Sequence, residues 1–304
     1  EDNNNWTPLH ALLNRGGPPS DAFDLIEIII QHAPTEILHM KSQWGYTPLH
    51  FSCQQDDISL EIVTILLEAC PESVKVVSNI GSWLPIHCAC QNRASIEVLD
   101  LLLQSYPQSL NIRNSYNEKP SQILKRRWEQ FPANDNMFYL HKACAGKFSE
   151  LLVQLLLEAF HQSCTFKDDK GMIPLHYACE NREPNSVNIA MALLDASPES
   201  DAVTDNSHGK TSSQLLHEAA SRRDIDGKLS LHHQAACAKG FTEQCLQFVF
   251  VAYPGGISLP DFHGMLPFHY ACLNNKSLSL ETLMLFLKLY PECITYDFMS
   301  NSAS

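Results

Sequence analysis

Thr47-Pro48-Leu49-His50 decides how this chain folds, because the pattern recurs along its length. It stands at Thr7-Pro8-Leu9-His10 and, with Leu or Ile in place of Thr, at Leu84-Pro85-Ile86-His87, Ile173-Pro174-Leu175-His176 and Leu266-Pro267-Phe268-His269. Weaker copies without the Pro lie at Tyr139-Leu140-His141 and around Leu231-His232-His233, where adjacent histidines leave the register open by one. The separations are 40 residues from His10 to His50, 37 from His50 to His87, 35 from His141 to His176 and 37 from His232 to His269. That is the length of one helix-turn-helix unit, and a fixed period of this size marks a repeat architecture.

Each unit reads as a turn, a short helix opening at the Pro, a connection and a longer apolar helix such as Ser59 to Ala69. Pro suits the first helical position, since its missing N–H would have no partner there and its φ is already helical. The turns ahead, Asp168-Asp169-Lys170-Gly171 and Asp261-Phe262-His263-Gly264, supply capping side chains and a residue tolerant of positive φ. Pro also punctuates the far end of the second helix, in Cys70-Pro71-Glu72, Tyr106-Pro107-Gln108, Ser197-Pro198-Glu199, Tyr253-Pro254-Gly255 and Tyr290-Pro291-Glu292. It stops the helix by exclusion, because it also drives the preceding residue out of the α region.

These motifs resemble the ankyrin repeat family, in which Thr-Pro-Leu-His opens the first helix of a unit of about 33 residues. The resemblance covers nearly the whole chain and implies an all-α helix-turn-helix solenoid with projecting hairpin-like turns. It departs from the family in ending second helices with Pro rather than Gly. It also departs in losing the Thr hydroxyl at Leu84, Ile173 and Leu266, whose turns are expected to be held more by packing.

A longer period runs above the first. Cys53 and Cys144 are 91 apart, Cys90 and Cys179 89, Cys179 and Cys272 93, and Pro120-Ser121-Gln122-Ile123-Leu124 matches Ser212-Ser213-Gln214-Leu215-Leu216 at 92. Three units make a super-repeat whose third member has room for one helix but not two. The expected organisation is a single array over 1–304, with units at about 1–38, 39–75, 76–112, a short 113–134, 135–166, 167–203, a short 204–227, 228–258, 259–294 and a truncated 295–304. The short segments are the expected weak joints, because each repeat gains stability only from its neighbours.

Composition narrows the function. Acidic residues number 34 against 21 Lys and Arg, a net charge of −13, which argues against binding phosphate backbones or anionic membranes. Apolar runs such as Gln247 to Tyr253 fall short of the roughly 20 residues that span a bilayer. His-x-x-Cys at His50/Cys53, His87/Cys90, His141/Cys144, His176/Cys179 and His269/Cys272 has zinc-pair spacing, yet the repeat explains it: Cys fills a position that wants a small apolar residue. Equivalent positions on stacked helices lie roughly 8 to 10 Å apart. A disulfide needs Cα atoms within about 7 Å. The eleven thiols are therefore expected to be reduced, pointing to the cytoplasm or nucleus.

Gly209-Lys210-Thr211 lacks the first Gly of a phosphate loop, since Thr204 stands there. No enzyme, cofactor or metal site is expected. The basic cluster Lys119, Lys125, Arg126 and Arg127 reads as a solvated helix face.

The residue two before each motif Pro is Trp6, Tyr46, Trp83, Met172 and Met265, large and apolar where a solvated turn prefers polar residues. Either these side chains fold back onto the adjacent turn, or they form a contact row, since aromatics and Met are enriched in interface cores. The resulting expectation is a monomeric, non-catalytic scaffold that binds another protein through the projecting turns and first helices, with no nucleic acid or membrane partner. The competing readings are a structural spacer within a larger protein and, behind it, a metal or enzymatic protein built on the His-x-x-Cys pairs.

Overall fold

A computed structural model describes residues 5–14, 20–32, 35–55, 58–130, 138–181, 186–197, 200, 203, 209–211, 214–215, 254–258, 260, 264–273 and 280–295. The structure is helical, and no β-strand runs through the described residues. The short helices α1 (Pro8–Leu13), α4 (Pro48–Ser52), α6 (Pro85–Gln91), α11 (Pro174–Glu180) and α13 (Pro267–Leu273) open at the motif Pro, and α9 (Tyr139–Ala145) takes the same place without one. Each longer helix comes after its short one: α2 (Ser20–His32), α5 (Leu60–Ala69), α7 (Ile96–Ser105), α10 (Glu150–Ala159), α12 (Ser186–Ala196) and α14 (Leu280–Leu289), while α3 (Thr35–His39) trails α2.

In the units that open at Pro, the motif histidine closes the opening turn. Its Nδ1 accepts the backbone N–H three residues earlier, at 3.1 Å from Thr7 to His10, 3.2 Å from Thr47 to His50, 3.0 Å from Leu84 to His87 and 3.0 Å from Ile173 to His176. Thr adds a contact of 2.8 Å from Oγ1 to Nδ1 in His10 and His50. Where Leu84, Ile173 and Leu266 replace it, the side chain is buried like that of Thr47, and the ring keeps its bond to the backbone without the hydroxyl contact.

With Nδ1 occupied as an acceptor, the proton sits on Nε2. That nitrogen donates across to the next repeat: His10 to Tyr46 O at 3.2 Å, His50 to Trp83 O at 3.0 Å, His87 to Ile112 O at 3.1 Å and His176 to Val203 O at 3.0 Å. The motif thus caps its own helix and ties neighbouring units together. In the short segments Gln122 and Gln214 stand in the histidine position. Each accepts the same local N–H, from Lys119 and Thr211 at 2.9 Å.

Second helices begin on Ser. Ser59, Ser95 and Ser149 accept from the N–H of Ile62, Val98 and Leu152, satisfying donors that the helix leaves unpaired. They end as expected before Pro, with Cys70, Tyr106 and Tyr290 at φ near −146°. Beyond that point the chain makes a single 3-10 turn, Pro71–Lys75, Pro107–Asn111 and Pro291–Ile294, which the sequence reading does not foresee. A buried Ser pins it, Ser73 Oγ donating to Cys70 O and Ser109 Oγ to Tyr106 O, both at 2.6 Å.

Among the described residues of the short segment, 113–130, there is one helix, α8 (Pro120–Gln130), with Ile123, Leu124 and Trp128 buried. It packs against α6 and α10, while α10 also meets α7 directly. Asp100 of α7 makes that junction: its carboxylate accepts from Ser149 N–H at 3.1 Å, from Ser149 Oγ, and from Gln104 at 2.6 Å. The second helices on either side of the short segment, α7 and α10, thus meet each other directly. The polar stretch after α8 and most of 204–227 lie outside the described residues.

By contacts the chain divides into two compact units, residues Glu1–Tyr139 with Phe148–His161 and residues Leu140–Lys147 with Gln162–Ser304. The cysteines Cys53, Cys90, Cys144 and Cys179 are fully buried, whereas Cys272 is exposed. The nine cysteines among the described residues are all free thiols. Burial pushes the Cys53 thiol up to about 12 and likewise raises those of Cys88, Cys90 and Cys144, so they behave as small apolar groups.

Candidate functional site: a groove in the first unit

Two residues of the turn row, Tyr46 and Trp83, line one open groove of about 790 Å³ that lies wholly within the first unit. Their placement comes from the repeat. Each sits two before a motif Pro, and its backbone carbonyl receives the Nε2 proton of the preceding repeat's histidine, so the main chain is fixed while the side chain stays half-buried. Tyr46 packs against His50 and Phe51 at ring distances of 5.5 and 6.0 Å, and Trp83 stands edge-on to His87 at 6.1 Å.

The third aromatic is Tyr116, which is 66% exposed. Gly81 explains how it comes to lie beside Trp83. This residue has φ +78°, and a Cβ there would stand 2.4 Å from Trp83 Nε1 and 3.2 Å from Tyr116 Cε2. Only glycine leaves room for both rings while meeting the positive φ.

Amides complete the lining: Asn14, Gln54 and Gln91 each stand four residues after a motif histidine, and Gln55 and Asn92 five. The sequence reading missed these residues. The signal was present as an amide recurring at the exit of successive first helices, though nothing in the chain distinguishes it from an ordinary C-cap. Asn92 is partly committed, since its Nδ2 donates to Cys88 O at 2.9 Å and Cys53 O at 3.3 Å.

Glu118 and Arg126 close the groove and pair with each other at 3.2 Å. The basic cluster is satisfied within the protein: Lys119 reaches Asn111 at 2.8 Å and Glu158 at 3.5 Å, Lys125 lies 4.0 Å from Glu129, and Arg127 Nε donates to Gln91 O at 2.8 Å.

The other row residues are placed differently. Trp6 is half-buried in the first unit, its ring edge-on to Trp44 at 6.3 Å and Phe51 at 5.3 Å, outside the groove lining. Met172 and Met265 belong to the second unit; Met172 is buried and Met265 half-buried. Of the five row residues, Tyr46 and Trp83 line the groove, Trp6 packs on Trp44 and Phe51 beside it, and Met172 is covered within the second unit.

Histidine chemistry leaves little for a metal. In His50 and His87 one ring nitrogen accepts a backbone N–H and the other donates to a carbonyl. Burial holds both near pKa 4 and therefore neutral at pH 7. No cluster of three or more His, Cys, Asp or Glu suited to a metal occurs among the described residues. Nor is any described helix long and apolar enough to cross a membrane.

A family model described as "Ankyrin repeats (3 copies)" matches residues 19–114 and 120–206, more than half the chain. This chain belongs to the ankyrin repeat family, whose repeats generally mediate protein–protein interaction and which is typically non-enzymatic. A curated relative, the SMC5-SMC6 complex localization factor protein 1 of Bos taurus, is 28% identical over 185 residues, 53% of this chain. The match spans only 17% of that relative's length. Among solved structures, the ankyrin repeat domain of Bcl-3 aligns over 73% of this chain and 98% of its own, at 19% identity and a TM-score of 0.34. A chain from the complex of the Bd0816 predatory endopeptidase of Bdellovibrio bacteriovorus with the immunity protein Bd3460 aligns over 70% of this chain and 92% of its own, at 14% identity and a TM-score of 0.32.

Proposed function

We propose that this chain is a non-catalytic scaffold, one array of repeats over 1–304, that docks another protein in the groove lined by Tyr46 and Trp83. The observation that carries the reading is the split within those residues: the backbone is anchored by the histidine of the preceding repeat, and the aromatic side chain is left lining a cleft. A rigid main chain presenting a half-open ring is what an interface anchor requires, because little entropy remains to be lost on binding. The remaining row residues, Trp6, Met172 and Met265, contribute to the shape of the turns. Free thiols, most of them buried, support a cytoplasmic or nuclear setting. The relative named as a localization factor for a complex supports a role in bringing proteins together.

The test is affinity capture by the intact chain and its Trp83→Ala variant, then direct affinity measurement on each recovered partner. Partners lost from the variant support the groove. Equal binding by both proteins removes it, and an absence of partners favours the spacer.

A further inference from the structure

We infer that the groove's ligand is an uncharged, proline-rich segment in the polyproline II conformation; this rests on the docking role proposed for the same groove. Charge is the first constraint. In a chain of net charge −13, the only charged lining residues among those described are Glu118 and Arg126, which neutralise one another. The groove thus offers neither an acidic nor a basic peptide an unpaired counter-charge.

What it offers is flat rings and hydrogen-bond donors. The Trp83 indole N–H makes no hydrogen bond among the described residues. Gln91 has its Oε1 engaged by Arg126 at 3.4 Å, which leaves its amide hydrogens to donate. Such donors suit a ligand whose carbonyls are unsatisfied. A polyproline II chain makes no internal hydrogen bonds, so its carbonyls stay available, whereas a bound helix has already used most of its own. Strand addition needs an unpaired sheet edge, and the described residues contain no strand.

Spacing favours the same ligand. Tyr46 and Trp83 occupy the same position in successive repeats, and equivalent positions on packed helices lie about 8 to 10 Å apart. Polyproline II advances about 3.1 Å per residue with three residues per turn, or about 9 Å per turn. Successive turns of one such ligand therefore meet successive rings. Trp83 and Tyr116 both lie against Gly81, so that ring site carries two aromatic side chains.

The experiment is calorimetric titration of the intact chain with a capped, uncharged peptide of about ten residues repeating Ala-Pro-Pro, beside its counterpart with each Pro replaced by Ala. Binding of the proline peptide at least tenfold tighter than the alanine one, varying less than twofold between low and high salt, is expected. Trp83→Ala should weaken it at least tenfold, and Tyr116→Ala, at an exposed site that folding does not need, at least threefold. Equal affinity for both peptides, a steep salt dependence, or binding unchanged in Tyr116→Ala overturns the inference. A parallel selection from a random peptide library on the intact chain separates the two failures. Binders that lack proline yet depend on Trp83 overturn the proline-rich class and leave the docking groove standing, whereas an absence of Trp83-dependent binders overturns both.

Discussion

The repeats around His87 and His176 share a motif, Leu84-Pro85-Ile86-His87-Cys88-Ala89-Cys90 against Ile173-Pro174-Leu175-His176-Tyr177-Ala178-Cys179, yet they present different surfaces. In the first, Cys88 is small and buried, and Trp83 stands half-open beside the groove. In the second, Tyr177 takes the place of Cys88 and donates to Asp168 Oδ2 at 2.6 Å, fastening the helix to its own turn. Met172 of that turn is covered, its N–H bound to Asp168 Oδ1 at 2.8 Å and its carbonyl accepting from His141 Nε2 at 3.1 Å. Similar scaffolding therefore supports either a side chain that lines a cleft or one that is covered.

If only the surface differs, the cores should respond alike. Leu102 of α7 and Leu193 of α12 occupy equivalent positions and are 0% and 1% exposed. Truncation of either to Ala is expected to cost about 3 kcal/mol, the usual range for a buried leucine, as read by chemical denaturation. Losses differing by more than about 2 kcal/mol would show that the two repeats do not share one packing scheme.

Acid should weaken the scaffolding around His50 and His87 by a similar amount. His50 and His87 titrate near 4 in the folded chain against 6.5 in an exposed histidine, because burial disfavours the charged ring. The unfolded chain then binds more protons between those values, so stability is full above about pH 6.5 and falls as pH drops towards 4. The loss is expected to reach on the order of 3 kcal/mol per histidine. His87→Gln should flatten the pH dependence of the denaturation midpoint; an unchanged slope would mean that the ring is not held neutral.

Trp83→Ala is expected to weaken partner binding by about 2 kcal/mol, roughly thirtyfold, and to lower stability less, because the backbone bond to His50 survives the truncation. A melting temperature that falls steeply while affinity holds would assign Trp83 to the turn, as with Met172. The smallest expected effect is at Tyr177→Phe. Losing the hydroxyl bond should cost about 1 kcal/mol. It should also let the Asp168 carboxylate titrate higher, since the Tyr177 hydroxyl is one of the groups that hold it below its usual range. Carboxyl titration read by NMR reports that shift directly.

The sequence by itself determined the family, the helix starts at Pro, the positive-φ Gly171 and Gly264, the helix stops before Pro71, Pro107 and Pro291, and the packing role of Cys53, Cys90, Cys144 and Cys179. All of these are local or periodic: a missing N–H, a φ that only glycine tolerates, a small residue recurring at one register. Tertiary structure decided the rest. Whether Trp83 opens and Met172 closes depends on what stands across the turn, Gly81 and Tyr116 in one case and Tyr177 with Asp168 in the other, and no period encodes that. The bond from Ser149 to Asp100 and the shared groove lining of Asn14, Gln54 and Gln91 join residues far apart in the chain. A repeat sequence specifies how each unit meets its neighbour, because that contact is reproduced at every step; the surface exists only once the units are stacked.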